Sequence, residues 1–465
     1  MSPKTVSHPS ITVHPKDVHA TISKHMLADG EHLIIDLAGS HGPYLRDEAT
    51  GREYLDFYAY FASMPIGHNH PKLREPWFVE RLAEAALHNP ANADVYTTYM
   101  AEFVATFAHV ARPVDMPHLF FITGGALAVE NALKAAFDWK VRKNLAAGKG
   151  EKGSQIIHFR EAFHGRSGYT LSLTNTADPR KYQYFPRFDW PRIVNPKLRF
   201  PITDQVLAET IAVEQQATAQ IQAALRANPD EIAALIIEPI QGEGGDNHFR
   251  PEFLQELRRL ADENDFLFIV DEVQTGMGAT GTMWAVEQMG VKPDIIAFGK
   301  KAQMCGIIAG PRIDEVPDNV FVVSSRISST WGGSLTDMVR GQRYLEIIAE
   351  DELVENARQM GQLLLTGLNE FAQTSDLISN VRGRGTLVAF DLPDGRSRDI
   401  FRGLLLENGL VALKCGERSI RFRPPLDLAA TTVEQALPGV TLKGVIFPLR
   451  KQLPLASPTP ETNMD

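Results

Sequence analysis

The stretch "FLFIVDEVQTG", residues 266–276, runs five apolar residues straight into Asp271 and Glu272. It reads as a buried strand of an α/β protein, and such strands place chemistry at their carboxyl ends. A second run, "DIIAFGKK" (294–301), stops in the same way at Lys300 and Lys301. Further apolar runs surround them: "HLFFIT" (118–123), "SQIIHF" (154–159), "AALIIE" (233–238) and "GIIAG" (306–310). Between them lie stretches with helical spacing and charged faces, among them "ALAVENALKAAFDWKVRKN" and "PEFLQELRRLADEND". This alternation is the pattern of βα units around a mainly parallel sheet.

From about Leu335 the pattern changes. One long helix is expected over 335–373, leading into the shorter strands "GTLVAFDL" (385–392) and "IRFRPPL" (420–426). The expected division is an N-terminal segment, 1–70, contributing to a small α+β domain; a large domain, 71–335; and the rest of the small domain, 336–465. The first 17 residues and the tail "ASPTPETNMD" are expected to be poorly ordered.

Composition removes several classes of function. A chain of 465 residues with a net charge of −10 offers no basic surface for nucleic acid. No apolar stretch approaches the roughly 20 residues of a membrane span. The N-terminal residues carry no apolar secretory core, and Cys305 and Cys415 are the only cysteines, so a cytoplasmic location is expected. His68 and His70 in "GHNHP" have ligand-like spacing, but no acid or cysteine cluster completes a metal site. Cys305, Met283 and Trp284 read as packing residues.

An acid at one strand end and an amine at another admit two sharp readings beside that of a solvated loop. A nucleotide site would require a phosphate loop, and neither "AAGKGEKGS" nor "AFGKKAQ" has its spacing. A pyridoxal 5′-phosphate site requires a lysine for the Schiff base and an acid that keeps the pyridine nitrogen protonated. Asp271 and Lys300 supply these, and the glycines of "ITGGALAVENALK" supply a strand-to-helix turn that cradles a phosphate.

The set "TGGALAVENALK", "AFHGRSGYT", "IIEPIQGEGG", "IVDEVQTGMGATG", "AFGKKAQ", "STWGG" and "IRFRPPL" resembles the class-III aminotransferases of fold type I, over roughly residues 50–430. Within that family, "LFFITGGALAVENALKAAFDWK" and "HGRSGYTLSLTNT" are most similar to the lysine ε-specific members. The resemblance implies a homodimer with shared active sites. It also implies transfer of the ε-amino group of L-lysine to 2-oxoglutarate by ping-pong half-reactions. Other ω-amines, ornithine and 4-aminobutyrate, remain alternatives. A regulator built on the same domain would need an added DNA-binding domain, for which the N-terminal segment leaves no room.

The same resemblance assigns roles. Lys300 matches the Schiff-base lysine and general base; Lys301, its competitor, would point to the opposite face of the strand as a solvated charge. Asp271 matches the partner of the pyridine nitrogen, and Gln274 the residue near the phenolic oxygen. Phe163 matches the ring-stacking aromatic, Gly125 and Ala126 the main-chain phosphate donors, and Thr330 the hydroxyl reaching the other subunit's phosphate. Arg421 matches the carboxylate-gripping arginine, Arg166 a second carboxylate binder, and Glu238 and Glu243 acids around cofactor and substrate. Glu243 is expected to pair with Arg421 and mask it. His164 is expected to position its loop, and Glu272 to solvate the strand end. Ser328 departs from the asparagine of the lysine-specific members.

Overall fold

The computed structural model describes residues 11–441. The tail "ASPTPETNMD" therefore lies outside the described residues, as do the first ten. Of the remaining N-terminal residues expected to lack order, Pro15–Asp17 form a 3-10 turn that runs into the helix Val18–Ser23.

The centre is a seven-stranded sheet in the order His118–Ile122, Cys305–Ala309, Ile295–Phe298, Leu267–Asp271, Ile232–Ile237, Gln155–Phe159, Arg192–Ile193. Only Cys305–Ala309 runs against its neighbours. Ile232–Ile237 and Leu267–Asp271 are buried at every position, so their sequences show no polar alternation. Successive side chains instead enter two different cores. Leu267 and Ile269 meet Leu133, Ala136 and Trp139 of the helix Gly125–Ala146. Phe268 and Val270 meet Leu254, Leu257 and Leu260 of the helix Pro251–Glu263. Each such buried side chain contributes about 1.5–3 kcal/mol.

Because the strands are parallel, their carboxyl ends converge. Ile122, Phe159, Ile237, Asp271 and Phe298 all stop at one edge of the sheet, where the functional cavity lies.

A four-stranded antiparallel sheet, in the order Ser379–Arg384, Leu387–Asp391, Ser419–Phe422, Leu413–Cys415, flanks that edge. It sets Arg421 opposite Ala389 and Leu413. A third sheet joins Tyr44–Arg46 and Glu53–Asp56 to Leu410–Val411. Phe57 packs edge-on against Phe422, with ring centroids 5.2 Å apart.

The long helix expected over 335–373 is two helices, Leu335–Glu350 and Leu353–Thr374. The chain breaks at Glu352, whose backbone is left-handed with φ 52°. The first helix places Leu335, Met338 and Leu345 in one core with Phe103 and Phe107, whereas the second places Leu364 and Leu368 in another with Phe390. Apolar spacing runs through the break without a Pro or Gly, so periodicity alone joins the halves.

Candidate active site

A cavity of about 540 Å³ opens at the convergent strand ends. Gly125, Ala126, Phe163, Arg166, Glu238, Glu243, Asp271, Gln274 and Lys300 line it.

The strand carrying the amine ends at Phe298, and Lys300 opens a 3-10 turn, Lys300–Ala302. Face alternation along a strand therefore does not separate the two lysines. What separates them is the left-handed backbone of Lys300, φ 49°, a conformation that costs about 1–3 kcal/mol in a non-glycine residue and clusters at functional sites. Lys300 keeps some accessible surface because it faces the cavity. Burial, then the charges of Arg421 and Arg423, bring its ammonium down to about 7. A neutral amine is thus available near neutral pH. Lys301 is not a solvated charge: it is buried and its Nζ donates to the Ala62 carbonyl at 2.9 Å. Burial holds it well below the usual lysine range.

Asp271 Oδ1 accepts from Val273 N at 3.0 Å, and its Oδ2 meets His164 Nδ1 at 2.8 Å. Burial opposes charge on the His164 ring, but the bond to Asp271 and the charges of Asp271 and Glu238 prevail and raise its pKa. His164 thus orients the carboxylate as well as its own loop. Glu272 corrects the expectation of a solvated strand end. It is buried, accepts from Val286 N at 2.7 Å and from the Thr275 hydroxyl, and burial pushes it up to about 7. Glu238 is also raised to about 7, chiefly by burial. Its oxygens accept from Phe163 N at 2.9 Å and Gly242 N at 3.0 Å, which ties two cavity walls together.

Gly124 turns strand into helix with φ 101°, a value that favours glycine. No side chain caps the helix that follows, so its first N–H groups are free for an anion where Gly125 and Ala126 line the cavity.

Arg421 is buried and donates from Nη2 to Glu243 Oε2 at 2.8 Å and from Nη1 to Gln274 Oε1 at 3.2 Å. Arg423, the second arginine of "IRFRPPL", donates to the same amide oxygen at 3.1 Å and pairs with Asp246 at 2.5 Å. It lies one residue past the strand Ser419–Phe422, so strand alternation does not signal it. With its oxygen held by two arginines, Gln274 has only its NH₂ left for the cavity. The chain passes so close at Gly242 that a Cβ there would lie 2.3 Å from Gln274 Oε1. Lys181 is a further unforeseen member, its Nζ 2.6 Å from Glu243 Oε1. Nothing in the loop sequence signals it. Burial would raise Glu243, but Arg421 and Lys181 hold it below the ordinary carboxylate range.

Arg166 stands exposed at the cavity rim. Thr330 and Ser328 are exposed on a separate loop and do not line the cavity of their own chain. His68 bonds Asp56 at 3.0 Å. Among the described residues no group of three or more His, Cys, Asp or Glu side chains is placed to hold a metal ion. Nor, among them, is any helix long and apolar enough to cross a membrane.

An uncapped helix N-terminus, a lysine of lowered pKa, an acid braced by an imidazole and a flat aromatic together fit pyridoxal 5′-phosphate. The fold is that of the fold type I pyridoxal-phosphate enzymes, α/β with a mainly parallel sheet. The chain belongs to the class-III aminotransferases, whose family model matches residues 26–441, and pyridoxal phosphate is their cofactor. It is 50% identical to the L-lysine-epsilon aminotransferase of Streptomyces clavuligerus, over 91% of this chain and 93% of that one. It is 51% identical to the enzyme of that name from Mycobacterium tuberculosis, over 92% and 96%. A solved lysine aminotransferase from M. tuberculosis superposes with a TM-score of 0.91 at 49% identity, covering 94% of this chain and all of that one. Human mitochondrial 4-aminobutyrate aminotransferase is more distant, 32% identical over 86% and 82%.

Proposed function

We propose that this aminotransferase moves the ε-amino group of L-lysine to 2-oxoglutarate, giving 2-aminoadipate 6-semialdehyde and L-glutamate in two half-reactions. The observation that carries this reading is the ion pair between Glu243 and Arg421 beside Lys300. An exposed arginine there would draw the α-carboxylate of any α-amino acid and set its α-amine at the reacting position. A masked arginine lets a substrate present its far end instead. The names of the half-identical relatives support lysine as the donor.

The bound cofactor supplies the electron sink for the carbon that loses its proton. Lys300, its ammonium lowered to about 7 and so partly neutral at that pH, would hold the cofactor and then carry the proton at the carbon bearing the transferred nitrogen. Asp271, oriented by His164, fixes the protonated ring nitrogen. Gln274 offers its NH₂ to the phenolic oxygen, and Phe163 offers its ring face. Gly125 and Ala126 give main-chain donors to the phosphate, and Glu238 holds the walls around it. Arg166, at the rim, takes the carboxylate of lysine, and Arg421 takes that of 2-oxoglutarate once Glu243 gives way.

The enzyme works as a homodimer in which Thr330 reaches the phosphate site of the partner subunit; its exposed position away from its own cavity supports this. It works in the cytoplasm, in keeping with two free cysteines. The described parts of residues 1–70 and 336–465 build a small domain beside the large one, 71–335, except that the helix Leu335–Glu350 packs into the large core with Phe103 and Phe107; the pairing of Glu53–Asp56 with Leu410–Val411 supports the joint origin of the small domain.

The test is a single turnover of the purified holoenzyme with lysine, ornithine and 4-aminobutyrate, following the visible absorbance and identifying the carbonyl product. Lysine is expected to react fastest and yield the semialdehyde. A faster reaction with another amine would reassign the donor.

A further inference from the structure

Glu243 belongs to two cavities. It lines the inner one with Lys300 and an outer one of about 440 Å³ with Lys181, Lys414 and Gly416. Its two oxygens have different partners: Oε2 meets Arg421 at 2.8 Å, and Oε1 meets Lys181, which lines the outer cavity, at 2.6 Å. Lys181 ends the 3-10 turn Pro179–Lys181, and its ammonium also lies 5.8 Å from the centre of the Phe163 ring. The other cations of the outer cavity are engaged elsewhere, Arg180 with Asp178, and Arg398 and Lys414 with Asp399.

We infer that Lys181 is the counter-ion that retains Glu243 when a substrate dicarboxylate takes Arg421. The inference rests on the masking of Arg421 by Glu243 proposed above. A ligand shifts such an equilibrium only through a difference between the two states. Lys181 touches Glu243 in the masked state, so its effect must come from a larger value in the unmasked one. That larger value follows from the pairing. While masked, Glu243 has two cations; once 2-oxoglutarate displaces it from Arg421, Lys181 is its remaining partner. Without Lys181 the displaced carboxylate would be left partly buried and unpaired, so Glu243 would stay on Arg421 and exclude the dicarboxylate. L-lysine, which enters while Arg421 is masked, makes no such demand. Lys181 is therefore a positioning residue for one half-reaction.

The experiment uses the holoenzyme in its aminated form and glutarate, a five-carbon dicarboxylate that lacks the keto oxygen and does not react. Lys181→Met is expected to raise the calorimetric Kd of glutarate, and the KM for 2-oxoglutarate, by about tenfold, the size of a charge-assisted hydrogen bond. The half-reaction with lysine should change by less than about twofold, a margin that an interaction absent from that state permits. Lys181→Arg should restore dicarboxylate binding, and thermal midpoints check that each variant folds. In a Glu243→Gln background, where no displaced charge needs a partner, Lys181→Met should have no effect on glutarate. Equal losses in both backgrounds, or an equal loss with lysine, would overturn the role. Should Glu243→Gln alone leave glutarate binding unchanged, the masking itself fails and this inference with it. Should Glu243→Gln tighten glutarate while Lys181→Met does nothing, only the role of Lys181 fails.

Discussion

The cavity side of the two strand ends and the side behind it carry the same residue types, a carboxylate and an amine on each. In front stand Asp271 and Lys300; behind them Glu272 and Lys301 are the more deeply buried pair. The rear pair is directed to the protein's own backbone, Glu272 to Val286 N and Lys301 to the Ala62 carbonyl. The front pair faces the cavity, and Asp271 is braced by a side chain, His164, rather than enclosed by a loop. Burial against the protein's own backbone marks a structural group, whereas burial with a direction open to the cavity marks a chemical one.

The largest test of this contrast is on the amines. Lys300→Ala should remove the visible absorbance of the lysine-held cofactor and lower turnover by about 10³-fold or more. Lys301→Met should keep that absorbance and instead lower stability by about 1–3 kcal/mol, the cost of a buried carbonyl left without a donor. A Lys301 variant that lost the absorbance while folding normally would break the contrast.

The acids come next. Asp271→Asn should reduce turnover by about 10²-fold while the cofactor still binds, an effect of the order found for one preorganised electrostatic contact. Glu272→Gln should leave turnover within about threefold, as expected away from the chemistry. Steady-state rates on both variants decide it. Rates near wild type for Asp271→Asn would show that another group supports the ring nitrogen.

At the Glu243–Arg421 pair the effects are smaller and opposite in sign for the two variants. Glu243→Ala should speed the reaction with glutamate relative to lysine by about tenfold, and Arg421→Ala should slow that with 2-oxoglutarate by at least as much. Stopped-flow rates for each half-reaction are the measure.

The last effect is in the pH dependence of stability. Glu272 sits at about 7 in the fold against an ordinary 4.5. The folded state thus binds more protons between those values, and stability falls as pH rises from 4.5 through 7. Glu272→Gln removes this contribution, so denaturation midpoints across that range should vary less than in the wild type. An unchanged slope would mean that Glu272 stays ionised.

How far this was legible differs from residue to residue. Asp271, Lys300 and the Gly124–Gly125 turn are visible because apolar runs stop abruptly at them, and strand ends are local features. The Glu243–Arg421 pair was expected from resemblance, and the two side chains do meet at 2.8 Å. Glu272 and Lys301 read as solvated in the sequence, because a charge beside a strand end looks solvated unless the covering segment is known. Those covers, Val286 and Ala62, lie elsewhere in the chain. Lys181 was invisible for the same reason. The break at Glu352 was missed because both helices keep apolar spacing and only tertiary packing assigns them to different cores.

One pairing has a consequence for how the molecule is made. Leu55 sits beside Leu410, Arg423 N bonds the Phe57 carbonyl at 2.8 Å, and Leu426 N bonds that of Pro65 at 2.8 Å. At ribosomal speeds of about 5–20 residues per second, the roughly 350 residues between such partners take roughly 20–70 s to emerge. Through that interval the early strand Glu53–Asp56 has one edge without its neighbour, and the carbonyl side of Phe57 has no donor from Arg423. The nascent chain must shelter that edge until Leu410–Val411 has been translated, and the wall that carries Arg421 arrives after every strand of the seven-stranded sheet.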